Sequence, residues 1–147
     1  MTNIRIQTDD FDVNAAAAAL TQGRHDIGAV VTFTGHVRCD DGLASLTLEH
    51  YPGMTEREIA RHAEEAQTRW PLLGVTIIHR TGKLSPGERI VLVAVAASHR
   101  QAAFEAAEFL MDYLKTRAPF WKEETRGATT RWVEGKSSDE TRAKRWR

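Results

Sequence analysis

The chain has 147 residues, 41% hydrophobic and 27% charged, with 20 Lys and Arg against 20 Asp and Glu and a formal net charge of zero. That length suits one domain, residues 1–147, with a core large enough to hold without staples, and zero net charge excludes a general nucleic-acid binder, which carries a basic excess. The single cysteine excludes an internal disulfide framework and any Cys-based structural zinc site, so a reducing cytoplasm is the simplest home.

No apolar run approaches the roughly 18 residues that span a bilayer. The longest is Ile90 to Ala97, and Met1-Thr-Asn-Ile-Arg-Ile lacks a basic-then-apolar leader, so neither membrane insertion nor secretion is expected. Charge is still uneven. Residues 1–98 hold 9 basic and 12 acidic groups, residues 99–147 hold 11 and 8, and the C-terminal third is where a small anion or an acidic partner patch would be received.

Ile4-Arg-Ile-Gln-Thr alternates like a short strand, and Asp12 caps a helix that runs through Ala15–Ala19 to Leu20 and stops at Gly23. Ile27 to Val37 is β-branched and apolar, a central strand followed by the polar turn Arg38-Cys-Asp-Asp-Gly. Leu46 to Tyr51 alternates with Leu46, Leu48 and His50 on one face, and is expected to pair antiparallel with the preceding run. Thr55-Glu-Arg-Glu reads as a capping box that opens a helix to about Trp70, with Ile59, His62, Ala63 and Ala66 inside and Pro71 beyond its end.

Val75 to Arg80 and Glu88 to Ala97 are strands joined through Gly82 and Pro86-Gly87, the second apolar on both faces and therefore mid-sheet. Ser98-His-Arg-Gln reads as another capping box. It opens the longest helix, Arg100 to about Arg117, which packs through Ala103, Ala107, Leu110 and Leu114. Two short strands follow Pro119, Phe120 to Glu124 and Thr130 to Glu134, and then a charged tail from Ser138 to Arg147 with Trp146 as its apolar anchor. The fold class is α+β, with helices on one side of a mostly antiparallel sheet.

Nucleotide-phosphate, dinucleotide, hydrolase-elbow and zincin motifs are absent, and the six histidines are scattered without metal-ligand spacing, so no metal is expected. Cys39 lies beside Arg38, which favours a thiolate, but two aspartates follow, and a plain free thiol is the other reading. Ser98-His99-Arg100 opens a helix whose N-terminal N–H groups, with His99 and Arg100 added, suit an anion. On spacing alone, ordinary capping with an exposed charge is the plainer reading. Lys115 and Lys122 flank a proline-stopped turn next to Phe120-Trp121. Partial desolvation there would poise a lysine to steady a developing anion or to donate a proton. The plainer alternative is that Lys115 and Arg117 only satisfy the last carbonyls of the helix.

Six blocks occur in order: Thr32-Phe-Thr-Gly-His-Val-Arg38, Leu48-Glu-His-Tyr-Pro-Gly-Met-Thr55, Trp70-Pro with Ile78-His-Arg-Thr-Gly82, Ser98-His-Arg100, Met111 to Lys122, and Arg131-Trp-Val. Together, from about residue 27 to 146, they resemble the large, catalytic subunit of molybdopterin synthase. The resemblance implies an α+β fold with a small additional antiparallel β subdomain. It also implies a sulfurtransferase that converts cyclic pyranopterin monophosphate to molybdopterin, with no cofactor of its own. The two sulfurs would come from the C-terminal Gly-Gly thiocarboxylate of a small ubiquitin-like subunit, and two large subunits would dimerise within a heterotetramer. The same fold without turnover, a non-catalytic anion- or partner-binding domain, is the alternative.

Carried over by motif, Lys115 and Lys122 match the family's active-site lysines. Arg38, His99 and Arg100 match its substrate contacts, the His-Arg pair reaching the site from the neighbouring subunit. Phe33, Met111, Pro119 and Phe120 lie beside the matched motifs, where some would line the channel for the partner's tail and others belong to the core. Two departures stand out: Cys-Asp-Asp-Gly follows Arg38 where an Asn-containing loop is usual, and Gly135-Lys136 replaces Ala-Arg, which keeps the charge but loses a bidentate fork.

Overall fold

The computed structural model describes residues 1–40, 42–133 and 137–146. In chain order the elements are β1 (Thr2–Gln7), α1 (Val13–Thr21), β2 (Ala29–His36), β3 (Ser45–His50), α2 (Met54–Arg69), β4 (Leu72–Arg80), β5 (Gly82–Leu84), β6 (Arg89–Ala97), α3 (Arg100–Thr116), β7 (Phe120–Arg126), β8 (Thr129–Val133) and α4 (Ser137–Lys144). They form an α+β fold with two four-stranded sheets, ordered β1-β4-β6-β2 and β5-β3-β7-β8. Among the described residues β1 and β4 are the one parallel pair, and every other pairing is antiparallel.

In the first sheet β6 is central, as its two-sided apolar run requires, and residues 91–97 are buried throughout. Side chains alternate across the sheet plane. Val75, Ile77, Val93, Val95 and Ala97 face α2 and α3, where they meet Ile59, Ala63, Ala66, Ala103 and Leu110. Ile78, Leu92, Ala94 and Ala96 face the other way, toward Phe11 and Leu20 at the two ends of the α1 region. Helices therefore cover both faces, which corrects the expected one-sided arrangement. The second sheet has its own smaller core of Val37, Leu43, Leu46, Leu48 and Leu84.

The expected hairpin between the second and third strands is also corrected. β2 pairs with β6, whereas β3 pairs with β5 and β7, so the two runs lie in different sheets. Burial explains the split. Leu46 and Leu48 pack into the second core, and β2 completes the apolar ladder beside β6. The three-residue β5, too short to show a period, was not expected.

Both capping boxes are corrected as well. At α2 the N-cap is Gly53, whose φ of 86° suits glycine, and its N–H donates to the Glu56 carboxylate at 3.0 Å. Glu58 instead pairs with Arg61 at 2.8 Å. At α3 the N-cap is His99, with no side-chain cap bond, while the Ser98 hydroxyl donates to the Asp26 carbonyl at 3.3 Å. Asp12, by contrast, caps α1 as expected, accepting from the Ala15 N–H at 3.0 Å.

Trp146 anchors the C-terminal segment. Its ring meets Trp70 and Phe109 edge-on, each at 5.6 Å, and its Nε1–H donates to Asp112 Oδ2 at 2.6 Å. Arg145 also donates to that buried carboxylate, at 3.1 Å. The intervening α4 was expected only as a charged tail, because it lacks an apolar stripe at helical spacing. Glu134 and the Gly135-Lys136 pair lie outside the described residues, as does Asp41 in the turn after Arg38.

Candidate active site

α3 runs along the first sheet and delivers Lys115 in its last turn, where the chain turns through Pro119 into β7. On β7 the register sets Lys122 opposite Leu48 on one side and Val133 on the other. Both lysines line one open cleft of about 250 Å³, together with Phe33 and His36 of β2, His79 of β4, Met111 of α3 and Phe120 of β7. Asp139 of α4 also borders it, the single acid among the described lining residues. The seam between the two sheets thus holds two cations against apolar and aromatic walls. Such a setting strengthens a cation's hold on a charge that develops during reaction.

Of the four expected channel residues, Phe33 (40% exposed), Met111 and Phe120 border the cleft. Pro119 is not among its lining. Its carbonyl instead accepts a hydrogen bond from the Thr55 hydroxyl at 3.1 Å. Arg38 follows β2 outside the cleft, with its side chain 71% exposed and paired to Asp40 at 3.1 Å. The neighbouring Cys39 is a free, exposed thiol.

His99 and Arg100 stand at the opposite end of α3. Fifteen residues separate Arg100 from Lys115, roughly 22 Å at helical rise. One chain therefore does not bring the His-Arg pair to its own lysines. His99 borders a separate shallow hollow with Trp70, Pro71, Ser98 and Gln101.

A family model described as MoaE protein matches residues 6–117. The chain belongs to the MoaE family. The molybdopterin synthase catalytic subunit of Mesorhizobium japonicum is 63% identical over 98% of this chain and 92% of its own length. Among solved structures, the molybdopterin biosynthesis MoaE protein from Burkholderia ambifaria superimposes with a TM-score of 0.86 at 53% identity, covering 99% of this chain and 98% of that one. The Helicobacter pylori complex of subunits 1 and 2 of molybdopterin-converting factor shares the fold at 20% identity, with a TM-score of 0.76 over 89% of this chain and 90% of that one. This MoaE-family chain is accordingly an enzyme of molybdopterin biosynthesis, of the catalytic-subunit type. Among its described residues no helix is long and apolar enough to cross a membrane. Nor do three His, Cys, Asp or Glu side chains among them gather to hold a metal.

Among the six scattered histidines, the sequence gives His79 no metal-ligand spacing to single it out. In this MoaE-family chain it is buried in the cleft wall, stacked on the Phe120 ring at 3.9 Å and 18°, and its Nδ1 sits 2.8 Å from the Arg80 carbonyl. That distance assigns the proton to Nδ1, which donates to the carbonyl. Burial pushes its pKa down from 6.5 to about 4, and the Lys122 and Lys115 charges push the same way. The ring is neutral at physiological pH. Its place at the polar end of an otherwise apolar run, Val75-Thr-Ile-Ile-His79, was the available signal.

The linkage has a definite sign. Because the unfolded imidazole binds its proton more tightly, this contribution to stability is fully present above about pH 6.5 and is lost as pH falls toward 4. The total is about 3 kcal/mol at the low end. In the His79→Phe variant, urea titrations between pH 7 and 4 are expected to show a flatter stability profile than the parent. His62, also pushed down by burial, keeps a smaller acid dependence. An unchanged slope would remove His79 as the acid-sensitive group.

Proposed function

We propose that this chain transfers sulfur from the C-terminal thiocarboxylate of a small ubiquitin-like subunit to cyclic pyranopterin monophosphate, and that two such transfers build the dithiolene of molybdopterin. The observation that carries this reading is the meeting of Lys115 and Lys122, from different elements, in one apolar-walled cleft. In each transfer the thiocarboxylate sulfur bonds to an oxygen-bearing carbon of the pterin side chain as that carbon's C–O bond breaks, the oxygen leaving with the phosphate or, once protonated, as water. Donor and substrate are then linked through an acyl-sulfur bond. Water then adds to the acyl carbon, the carbon–sulfur bond to the donor breaks, and the donor leaves as a carboxylate while the sulfur stays on the pterin. The addition passes through a tetrahedral oxyanion, which Lys115 steadies, while Lys122 orients the incoming thiocarboxylate.

This division of labour asks nothing of Cys39, whose thiol is exposed and outside the cleft. It does ask for a phosphate contact. Arg38, His99 and Arg100 supply it in this reading, with the last two coming from a second copy of the chain, since roughly 22 Å of helix separates them from Lys115. The working particle is then a homodimer of this chain within a heterotetramer, acting in the cytoplasm. Lys136 is a further candidate for the same anion by its charge alone.

The decisive experiment incubates the chain with thiocarboxylated small subunit and the cyclic pterin and assays molybdopterin. Product formation is expected. Binding of both ligands without turnover would favour a non-catalytic binding domain instead. The channel is tested separately through Met111, half-buried at the cleft. A glycine tail threads closely between side chains because it has none of its own. Met111→Arg is therefore expected to weaken small-subunit binding far more than binding of the free pterin, as read by separate titrations. Equal losses for the two ligands would indicate global damage, and an unchanged small-subunit affinity would remove Met111 from the interface.

A further inference from the structure

We infer that Thr55 is a positioning residue for the lysine pair, its hydroxyl tying the turn that opens α2 to the turn that leads α3 into β7. This rests on the proposed role of Lys115 and Lys122. Thr55 is completely buried. Its Oγ1 accepts the Tyr51 N–H at 3.0 Å and donates its only hydrogen to the Pro119 carbonyl at 3.1 Å. Pro119 lies between the two lysines, four residues after Lys115 and three before Lys122.

The hydroxyl is free for this task because capping is done elsewhere. Glu56 serves the Gly53 N–H, so the threonine that the sequence offers as a cap is used as a bridge. The backbone bonds inside the turn, Ala118 N–H to Tyr113 and Phe120 N–H to Ala118, are local, and the β3–β7 ladder takes hold only from Phe120, opposite His50, so the Thr55 hydroxyl is what ties Pro119 itself. Two ring contacts complete the tie. Tyr51 packs on Trp121 at 4.7 Å, and His79 stacks on Phe120 from the β4 side. The turn is thus held at Pro119, Phe120 and Trp121, the three residues that immediately precede Lys122. A displacement of about 1 Å in a reacting group costs up to ~100-fold in rate, so a single hydroxyl at this place has leverage on the chemistry.

The test compares Thr55→Val, which keeps the shape and strands both partners of the hydroxyl, with Thr55→Ser, which keeps the bridge. Two readouts are taken on the full chain. The first is kcat and KM in the reconstituted reaction. The second needs no turnover: pulsed acetylation of lysines with acetic anhydride, read by mass spectrometry at Lys115 and Lys122 against Lys83 and Lys144. Thr55→Val is expected to lower kcat roughly tenfold with KM for the pterin little changed, and to alter labelling at Lys115 or Lys122 by about twofold or more while the reference lysines hold. Thr55→Ser should restore both.

Parental kcat and labelling in the valine variant would overturn the inference. So would a uniform rise at all four lysines, which reports unfolding, or a serine variant as impaired as the valine one. If the unaltered chain makes no molybdopterin, the proposed function has failed, and the labelling pattern still decides whether Thr55 positions the lysines.

Discussion

Replacing Lys115 with alanine is expected to cut molybdopterin formation by about 100- to 1000-fold, equivalent to ~3–4 kcal/mol of transition-state stabilisation, with the fold intact. The argument begins with where the charge develops. Water adding to an acyl-sulfur carbon places a full negative charge on the former carbonyl oxygen, and a cation beside apolar walls meets that charge more strongly than one in open water. Lys115 stands at the rim of such a cleft, in the last turn of α3, with Met111 and Leu114 of the same helix and Phe120 beyond the turn as neighbours.

The fold should tolerate the loss. Lys115 is exposed and belongs to none of the apolar clusters, and removing a cation from a helix C-terminus costs only about 0.3–1 kcal/mol. Lys122→Ala is expected to cost less turnover than Lys115→Ala, because orienting a donor can be partly replaced by the donor's other contacts. Single-turnover rates separate the chemical step from binding, and a thermal melt of each variant checks the fold. Parental rates in the Lys115 variant would sink the assignment, and a collapsed melting transition would show that the lysine serves the structure.

Local signals carried the sequence reading well and long-range ones poorly. The Asp12 cap, the inner stripe Ile59, His62, Ala63 and Ala66, and the two-sided apolar run of β6 all depend on neighbours within a few residues, and all stand in the structure. Strand partnership does not. β3 pairs with β7, joining Leu48 to Lys122 across more than half the chain, and nothing in the local alternation of either run encodes that choice. Yet this pairing is what carries Lys122 to the seam where Lys115 ends α3.

The two capping boxes failed for a smaller reason, a shift of a residue or two in where α2 and α3 begin, which reassigned Thr55 from cap to bridge. The lysines themselves were legible from chemistry and motif. His79 was not, because a buried neutral imidazole has no local signature beyond the strand that holds it. Asp139 was not, because its helix carries no apolar stripe at helical spacing.

Mixing two inactive variants should restore activity, and this follows from the length of α3. Arg100 and Lys115 sit at opposite ends of a 17-residue helix, and no bend of a packed α-helix closes roughly 22 Å. If both groups serve one pterin, Arg100 must come from another copy of the chain. A homodimer with two-fold symmetry then contains two equivalent pockets, each with lysines from one protomer and the His-Arg pair from the other. Consider a dimer of one Arg100→Ala chain and one Lys115→Ala chain. The pocket built on the Arg100→Ala chain keeps its own Lys115 and receives an intact Arg100 from its neighbour. The other pocket loses both. Random exchange of equal amounts makes half the dimers mixed, so about a quarter of all pockets are complete, and activity near a quarter of the parental level is expected from two preparations that are each nearly inactive. Subunit exchange is verified independently by mass spectrometry of differently tagged chains. Recovery that scales with the fraction of mixed dimers supports a shared pocket. Proven exchange without recovery would mean that Arg100 acts within its own chain or not at all, and the anion contact would then have to come from Arg38 or another basic group of the same protomer.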